Sequence, residues 1–235
     1  MLSQAEKGGV QNTIQNCVTV LQNDPVLADS IRLNLLSERI DIVKPMGWQR
    51  SGPTLIDTDM MYILRRMEKY GLYSEKRVSA AIRIVANENH YHPIRDYLND
   101  LKWDGTERIS HALHRFLGAA EDELTAEALK IFLLGAIKRV FHPGCKFEMM
   151  LCLVGGQGAG KSSFFRLLAI KDEWFSDDLR RMDDDNVFRK LQGHWIMEMS
   201  EMIATANAKS IEEIKSFLSK QKETYKIPYE THPAD

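Results

Sequence analysis

Residues 155 to 162 read Gly155-Gly156-Gln157-Gly158-Ala159-Gly160-Lys161-Ser162, and this octapeptide decides how the rest of the chain is divided. Four of its first six residues are glycine, which permits a concave backbone whose N–H groups converge on one point; Cβ atoms would obstruct that shape. The spacing G-x-x-x-x-G-K-S satisfies the phosphate-binding P-loop pattern, also called Walker A. Its flanks agree. Residues 147 to 154 form a short apolar run, expected to be a strand buried on both faces of a parallel sheet, and residues 162 to 169 have the apolar spacing of a helix. The turn therefore stands between a strand and a helix N-terminus, where further N–H donors and partial positive charge favour an anion. The expected ligand is a nucleoside triphosphate, ATP foremost, with Mg2+. Lys161 is expected at the β- and γ-phosphates and Ser162 on magnesium, with the loop backbone and Ser163 completing the cradle.

Such a site also needs a carboxylate at the end of a neighbouring strand, to hold magnesium or polarise the attacking water. Trp195-Ile196-Met197-Glu198-Met199-Ser200-Glu201 supplies one. A second buried strand is expected over residues 195 to 199. Strand side chains alternate, so Glu198 and Glu201, three positions apart, face opposite ways. Glu201 stands beyond the apolar run, at the carboxyl end of the strand where ligands bind in open α/β sheets. It is the preferred catalytic and magnesium-facing acid, with Glu198 second.

Upstream of His142-Pro143-Gly144 the chain reads as helices. Apolar residues recur at helical spacing over residues 10 to 22, and Asp24-Pro25 looks like a cap and first turn of a new segment. Asp57 is expected to cap a helix carrying Met60, Met61, Leu64 and Met67, closed by Gly71. Ser74 opens another with Val78, Ile82 and Val85 on one face. Pro93 opens a short one. Two more follow around residues 109 to 117 and 125 to 140, the last with Leu129, Phe132, Leu133, Ile137 and Val140 as its buried stripe. Residues 31 to 43 suit either strand or helix. Ser210 and Glu213 form a capping-box pattern before a final helix. The expected fold is a mainly helical N-terminal domain, residues 1–144, followed by the start of an α/β P-loop NTPase domain, residues 145–235, with an incomplete parallel sheet.

Composition removes several classes. The 235 residues contain 31 Lys and Arg against 33 Asp and Glu, a formal charge of -2, so no global basic field marks a nucleic-acid binder. DNA contact would need a local patch. Candidates are Arg65, Arg66 and Lys69, then Lys76 and Arg77, then Lys215, Lys220, Lys222 and Lys226, and each group is of a size that helix surfaces carry for solvation. Cys17, Cys145 and Cys152 are odd in number and lack C-x-x-C spacing, which fits a reducing, cytoplasmic setting. No run of apolar residues is long enough to span a membrane, and no secretory signal is expected. His90, His92, His111 and His114 lack zinc-ligand spacing. Asp183-Asp184-Asp185 reads as a cap for the helix after it, not a metal cluster.

These residues together resemble the virulence-associated E (VapE) family of phage and genomic-island proteins, P-loop ATPases related to superfamily 3 helicases of the AAA+ class. The resemblance rests on His92-Pro93-Ile94-Arg95-Asp96-Tyr97-Leu98, on Leu101-Lys102-Trp103-Asp104-Gly105 with Arg108, and on Pro143-Gly144-Cys145-Lys146-Phe147. Downstream it continues through Glu173-Trp174-Phe175-Ser176-Asp177, the stretch from Trp195 to Glu201, Lys215-Ser216-Phe217-Leu218-Ser219 and Tyr225-Lys226-Ile227-Pro228-Tyr229. It implies ATP-dependent, helicase-like work on DNA, in single-stranded form, during replication of a mobile element, by a ring-shaped homo-oligomer. It also implies Glu201 as the Walker B type acid.

Two departures matter. Where the family has arginines, this chain has Lys226 and Thr231, which weakens phosphate or DNA contact from that loop. Only 34 residues follow Glu201, fewer than the family's sensor residue and arginine finger require, so the expectation is a chain that stops in mid-domain and hydrolyses ATP weakly. Two rival readings share the P-loop. One is a nucleotide-binding module that docks on a replication or host protein. The other is a small-molecule kinase, which would need an arginine-rich lid, and no arginine follows Glu201.

Overall fold

The computed structural model describes residues 2–4, 8–179 and 190–199, with single positions 212, 215, 216, 218 and 219. Glu201, the Asp183 to Asp185 run, the Ser210 and Glu213 capping pattern, and Lys220, Lys222 and Lys226 lie outside the described residues. The chain divides into two compact units, 1–96 and 97–235. Sequence composition changes character later, at residue 144, so the division falls before the last two helices of the expected N-terminal domain and groups them with the glycine-rich turn. Helices supply most of the ordered structure among the described residues, with two small two-stranded sheets. No described helix is long and apolar enough to cross a membrane.

In the first unit, helix α1 (Ile14–Asn23) starts where the Thr13 hydroxyl accepts the Asn16 N–H at 3.2 Å. Asp24 then caps a run of turns, not a helix: its carboxylate accepts the N–H groups of Val26 and Leu27 while Arg66 and Tyr70 also bind it. Residues 31 to 43, open between strand and helix in the sequence, form an antiparallel hairpin of β1 (Ile31–Asn34) and β2 (Arg39–Ile42). The turn decides it. Asn34 Oδ1 accepts the Leu36 N–H at 3.0 Å and Glu38 adopts φ 54°, a left-handed conformation no helix contains.

Helix α2 (Asp57–Met67) begins at the residue expected to cap it, so its cap stands one residue earlier. Ile56 is the cap residue, and Asp59 accepts the Ile56 N–H at 3.1 Å. A 3₁₀ turn (Glu68–Tyr70) and Gly71 at φ 76° end it. Helix α3 (Glu75–Glu88) buries Val78, Ala81, Ile82, Val85 and Ala86. These join Cys17, Leu21, Ile31, Ile63 and Met67 in one core, the apolar burial that holds this unit together.

Helix α4 (Pro93–Asp100) leads into the second unit, where α5 (Ile109–Leu117) and α6 (Glu123–Phe141) form a pair. Asp122 caps α6, accepting the Thr125 N–H at 2.8 Å. Of the expected stripe, Leu129 is buried with Phe132 and Leu133 packed on its core, Val140 is buried, and Ile137 is exposed. Residues 147 to 154 correct the sequence expectation. They are assigned no strand, and only Leu151 and Leu153 reach the core, while Val154 is 78% exposed. An apolar run becomes a strand only when a partner supplies the ladder, and none is seen among the described residues. The parallel pairing lies instead between β3 (Phe175–Ser176) and β4 (Ile196–Met197).

Candidate functional site

Helix α7 (Lys161–Leu168) follows the glycine-rich turn directly. Phe164 faces inward, 7% exposed, and packs with Leu113 and Leu129, so the pair α5 and α6 fixes where the α7 N-terminus stands. Phe165 adds an edge contact to Phe132 at 6.0 Å between ring centres. Gly158 and Gly160 hold φ values of 79° and 80°, the left-handed region that side chains disfavour. Gly160 caps the helix in that conformation, with its carbonyl accepting the Phe164 N–H at 2.9 Å. At Gly155, Gly156 and Gly158 a Cβ would meet no protein atom within 4 Å. Gln157, Ala159 and Ser163 are exposed around the same turn.

Lys161 bends back over the loop. Its ammonium donates to the carbonyls of Gly155 at 2.9 Å and Gly156 at 2.7 Å, which holds a positive charge on the turn. Ser162, the next residue, points elsewhere: its hydroxyl donates to Glu198 Oε1 at 2.7 Å. That bond joins two segments 36 residues apart in sequence.

The sheet explains how Glu198 arrives there. Phe175 pairs with Ile196 and Ser176 with Met197, in parallel register. The ladder is extended by Trp195 N–H to the Trp174 carbonyl at 2.7 Å and by Glu198 N–H to the Ser176 carbonyl at 2.8 Å. Beneath, the Trp174 and Trp195 rings meet edge to face at 6.3 Å, and the Trp195 indole N–H donates to the Ala136 carbonyl of α6 at 3.2 Å. Glu198 is thus the first residue past the assigned end of β4, at the carboxyl end where ligands gather in parallel sheets. Glu201, the acid preferred from the sequence, lies outside the described residues, so among the described residues Glu198 is the one of the two that stands beside Ser162.

The basic candidates separate. Arg66 ion-pairs with buried Asp24 at 2.5 Å, Arg77 donates to the Asn12 carbonyl, and Lys215 pairs with Glu212 at 2.9 Å. Arg65, Lys69 and Lys76 are exposed. Each histidine set aside as a zinc ligand has an ordinary partner. His90 meets the Asn87 carbonyl, His92 accepts the Arg95 N–H at the start of α4, His111 pairs with Glu121, and His114 meets the Ala119 carbonyl. No group of three metal-ligating side chains occurs among the described residues.

The family model of the virulence-associated protein E-like domain matches residues 98–235. No curated protein matches the chain.

Proposed function

The chain belongs to the virulence-associated protein E-like family, and from that premise we propose that it is an ATP-binding, helicase-like ATPase of phage or genomic-island origin acting in DNA replication, built on an AAA+-like P-loop domain. The observation that carries the nucleotide reading is the 2.7 Å bond from Ser162 to Glu198 beside the glycine turn. A hydroxyl at the start of a helix and a carboxylate at the end of a strand, held against each other, form an oxygen pair of the kind Mg2+ takes with nucleotide phosphates. The residues fit the ligand in two further respects. The open glycine turn leaves room for phosphate oxygens, and Lys161 already holds its charge on that turn.

In this reading the loop N–H groups and the α7 N-terminus bind phosphate, and Lys161 exchanges its two carbonyl partners for phosphate oxygens. Ser162 and Glu198 hold magnesium. Glu201 is the second acid, suited to orienting water. ATP supplies the transferable phosphoryl group and the metal neutralises charge on it. Single-stranded DNA as the polymer acted on and a homo-oligomeric ring as the working assembly follow from the family alone, and belong to the proposal.

A fluorescent ATP analogue, titrated with and without Mg2+, tests it. Lys161→Ala should weaken binding by about 1.5 to 3 kcal/mol, the range for a hydrogen bond to a charged group, with unchanged circular dichroism. Glu198→Gln should keep metal-free binding and lose the magnesium-dependent part along with phosphate release. Unchanged affinity in a folded Lys161→Ala variant would refute the nucleotide site. A larger loss of magnesium dependence in Glu201→Gln than in Glu198→Gln would return the metal role to Glu201.

A further inference from the structure

The first unit carries a fixed aromatic platform. Trp48, in the loop between β2 and α2, stacks on Tyr62 of α2 with ring centres 4.9 Å apart and planes within 9° of parallel. The loop is held from behind. Buried Asp59 accepts the Trp48 indole N–H at 2.7 Å and two bonds from Arg50 at 2.8 and 3.0 Å, and Arg50 reaches on to the carbonyls of Ile42, Pro53 and Thr54. Both rings are therefore oriented before any ligand arrives, which removes part of the ordering cost of binding.

Tyr62 is 38% exposed and its neighbour Met61 is 68% exposed. Arg65 follows Tyr62 by three positions and Lys69 follows Arg65 by four, so they continue the same outward stripe along the helix and its 3₁₀ extension. Neither cation has an ion pair among the described residues, whereas Arg66 between them is turned inward onto Asp24. These two cations outnumber the flanking acid, Glu68.

We propose that the Trp48 and Tyr62 stack with Arg65 and Lys69 is a binding site for single-stranded DNA, a nucleobase extending the stack while the cations take the flanking phosphates. The chemistry is sequence-tolerant, because every base has a face to stack and every nucleotide a phosphate. A duplex keeps its bases stacked on each other and has none to offer. The proposal rests on the DNA-directed reading above only in choosing DNA over RNA. It places the contact outside the stretch that matches the family model.

The test uses the full chain without nucleotide and a fluorescein-labelled oligothymidylate of about 20 nucleotides, enough for one small site, read by anisotropy at several salt concentrations. Tyr62→Ala should weaken binding about tenfold or more, the scale of one lost base stack, and Tyr62→Phe should restore it. Arg65→Glu with Lys69→Glu should flatten the salt dependence by roughly two phosphate contacts. Wild-type affinity in both the Tyr62→Ala and the double charge variant would overturn the site. Equal affinity for duplex would overturn the stacking, and tighter binding of an RNA of the same length would overturn the choice of DNA. Lys161→Ala should leave this nucleotide-free binding unchanged, so that failure of the ATP site and failure of the platform are read separately.

Discussion

Two buried carboxylates set the acid limit of the first unit. Burial pushes the Asp24 carboxyl upward, but Arg66, Tyr70 and the N–H groups of Val26 and Leu27 outweigh it and hold it below the usual range. Asp59 is the same case, with burial opposed by Arg50, Trp48 and the Ile56 N–H. A carboxyl whose folded pKa is depressed gives stability that is full above its unfolded value, near 3.8, and lost as the pH falls through the folded value. Thermal melting should therefore hold steady down to about pH 4 and drop below it. A melting point flat down to about pH 2 would show that these bonds contribute no net free energy. Removing one partner is more severe. Arg66→Ala leaves Asp24, 2% exposed, without its cation and should cost about 3 to 5 kcal/mol, measured by urea denaturation. Arg66 stood among the DNA candidates in the sequence, since nothing local reveals an acid 42 residues away. The octapeptide differs, because its conformational demand is contained in its own residues: a glycine turn followed by a helix was readable from it, and the helix starts at Lys161, one residue before the expected 162.

At the scale of elements, the approach to the glycine turn includes one very close contact. A Cβ on Gly135 of α6 would lie 2.2 Å from the Phe147 ring, and Arg139, one turn further, donates to the Phe147 carbonyl at 2.9 Å. Gly135→Ala gains about 1 kcal/mol of helix propensity and loses about 1 to 3 kcal/mol by overpacking, so the net change should be a small destabilisation. Against Phe147→Ala the clash is gone, and Gly135→Ala should become stabilising. Additive effects in that double-mutant cycle would mean the ring moves aside freely. The contact was invisible beforehand, as was the fate of residues 147 to 154. Helices were legible because their period lies within one segment: α5 and α6 fall within two residues of their expected bounds, and α3 opens at its expected cap, Ser74. Strands need a partner from elsewhere. Glu198 gained its place from the same non-local pairing, with Phe175 and Ser176, that periodicity alone does not contain.

For the whole molecule, the question is where an autonomous fold ends. The sequence expectation is one helical domain to residue 144; within the second unit α5 and α6 bury Leu113 and Leu129 against Phe164, with Leu151, Leu153 and Leu168 packed around them. Four members of that core, Leu151, Leu153, Phe164 and Leu168, lie beyond 144 and cover the α5 and α6 pair. The core of the first unit, by contrast, draws on residues 17 to 86 for its buried members and needs nothing later. A fragment of residues 1–100, which keeps α4 and its fully buried Ile94 whole, should thus unfold in one cooperative transition, since it retains its entire apolar core. Extending it to residue 144 restores α5 and α6 without their covering side chains. That fragment should show the same single transition, with added helical signal that melts gradually and bound dye reporting the uncovered leucines. Circular dichroism and dye fluorescence on the two fragments, compared with the full chain, decide the matter. A sharp, more stable transition in the longer fragment would place the boundary of the autonomous fold after α6, and would mean that α5 and α6 take their stability from the first unit and not from the helix that follows the glycine turn.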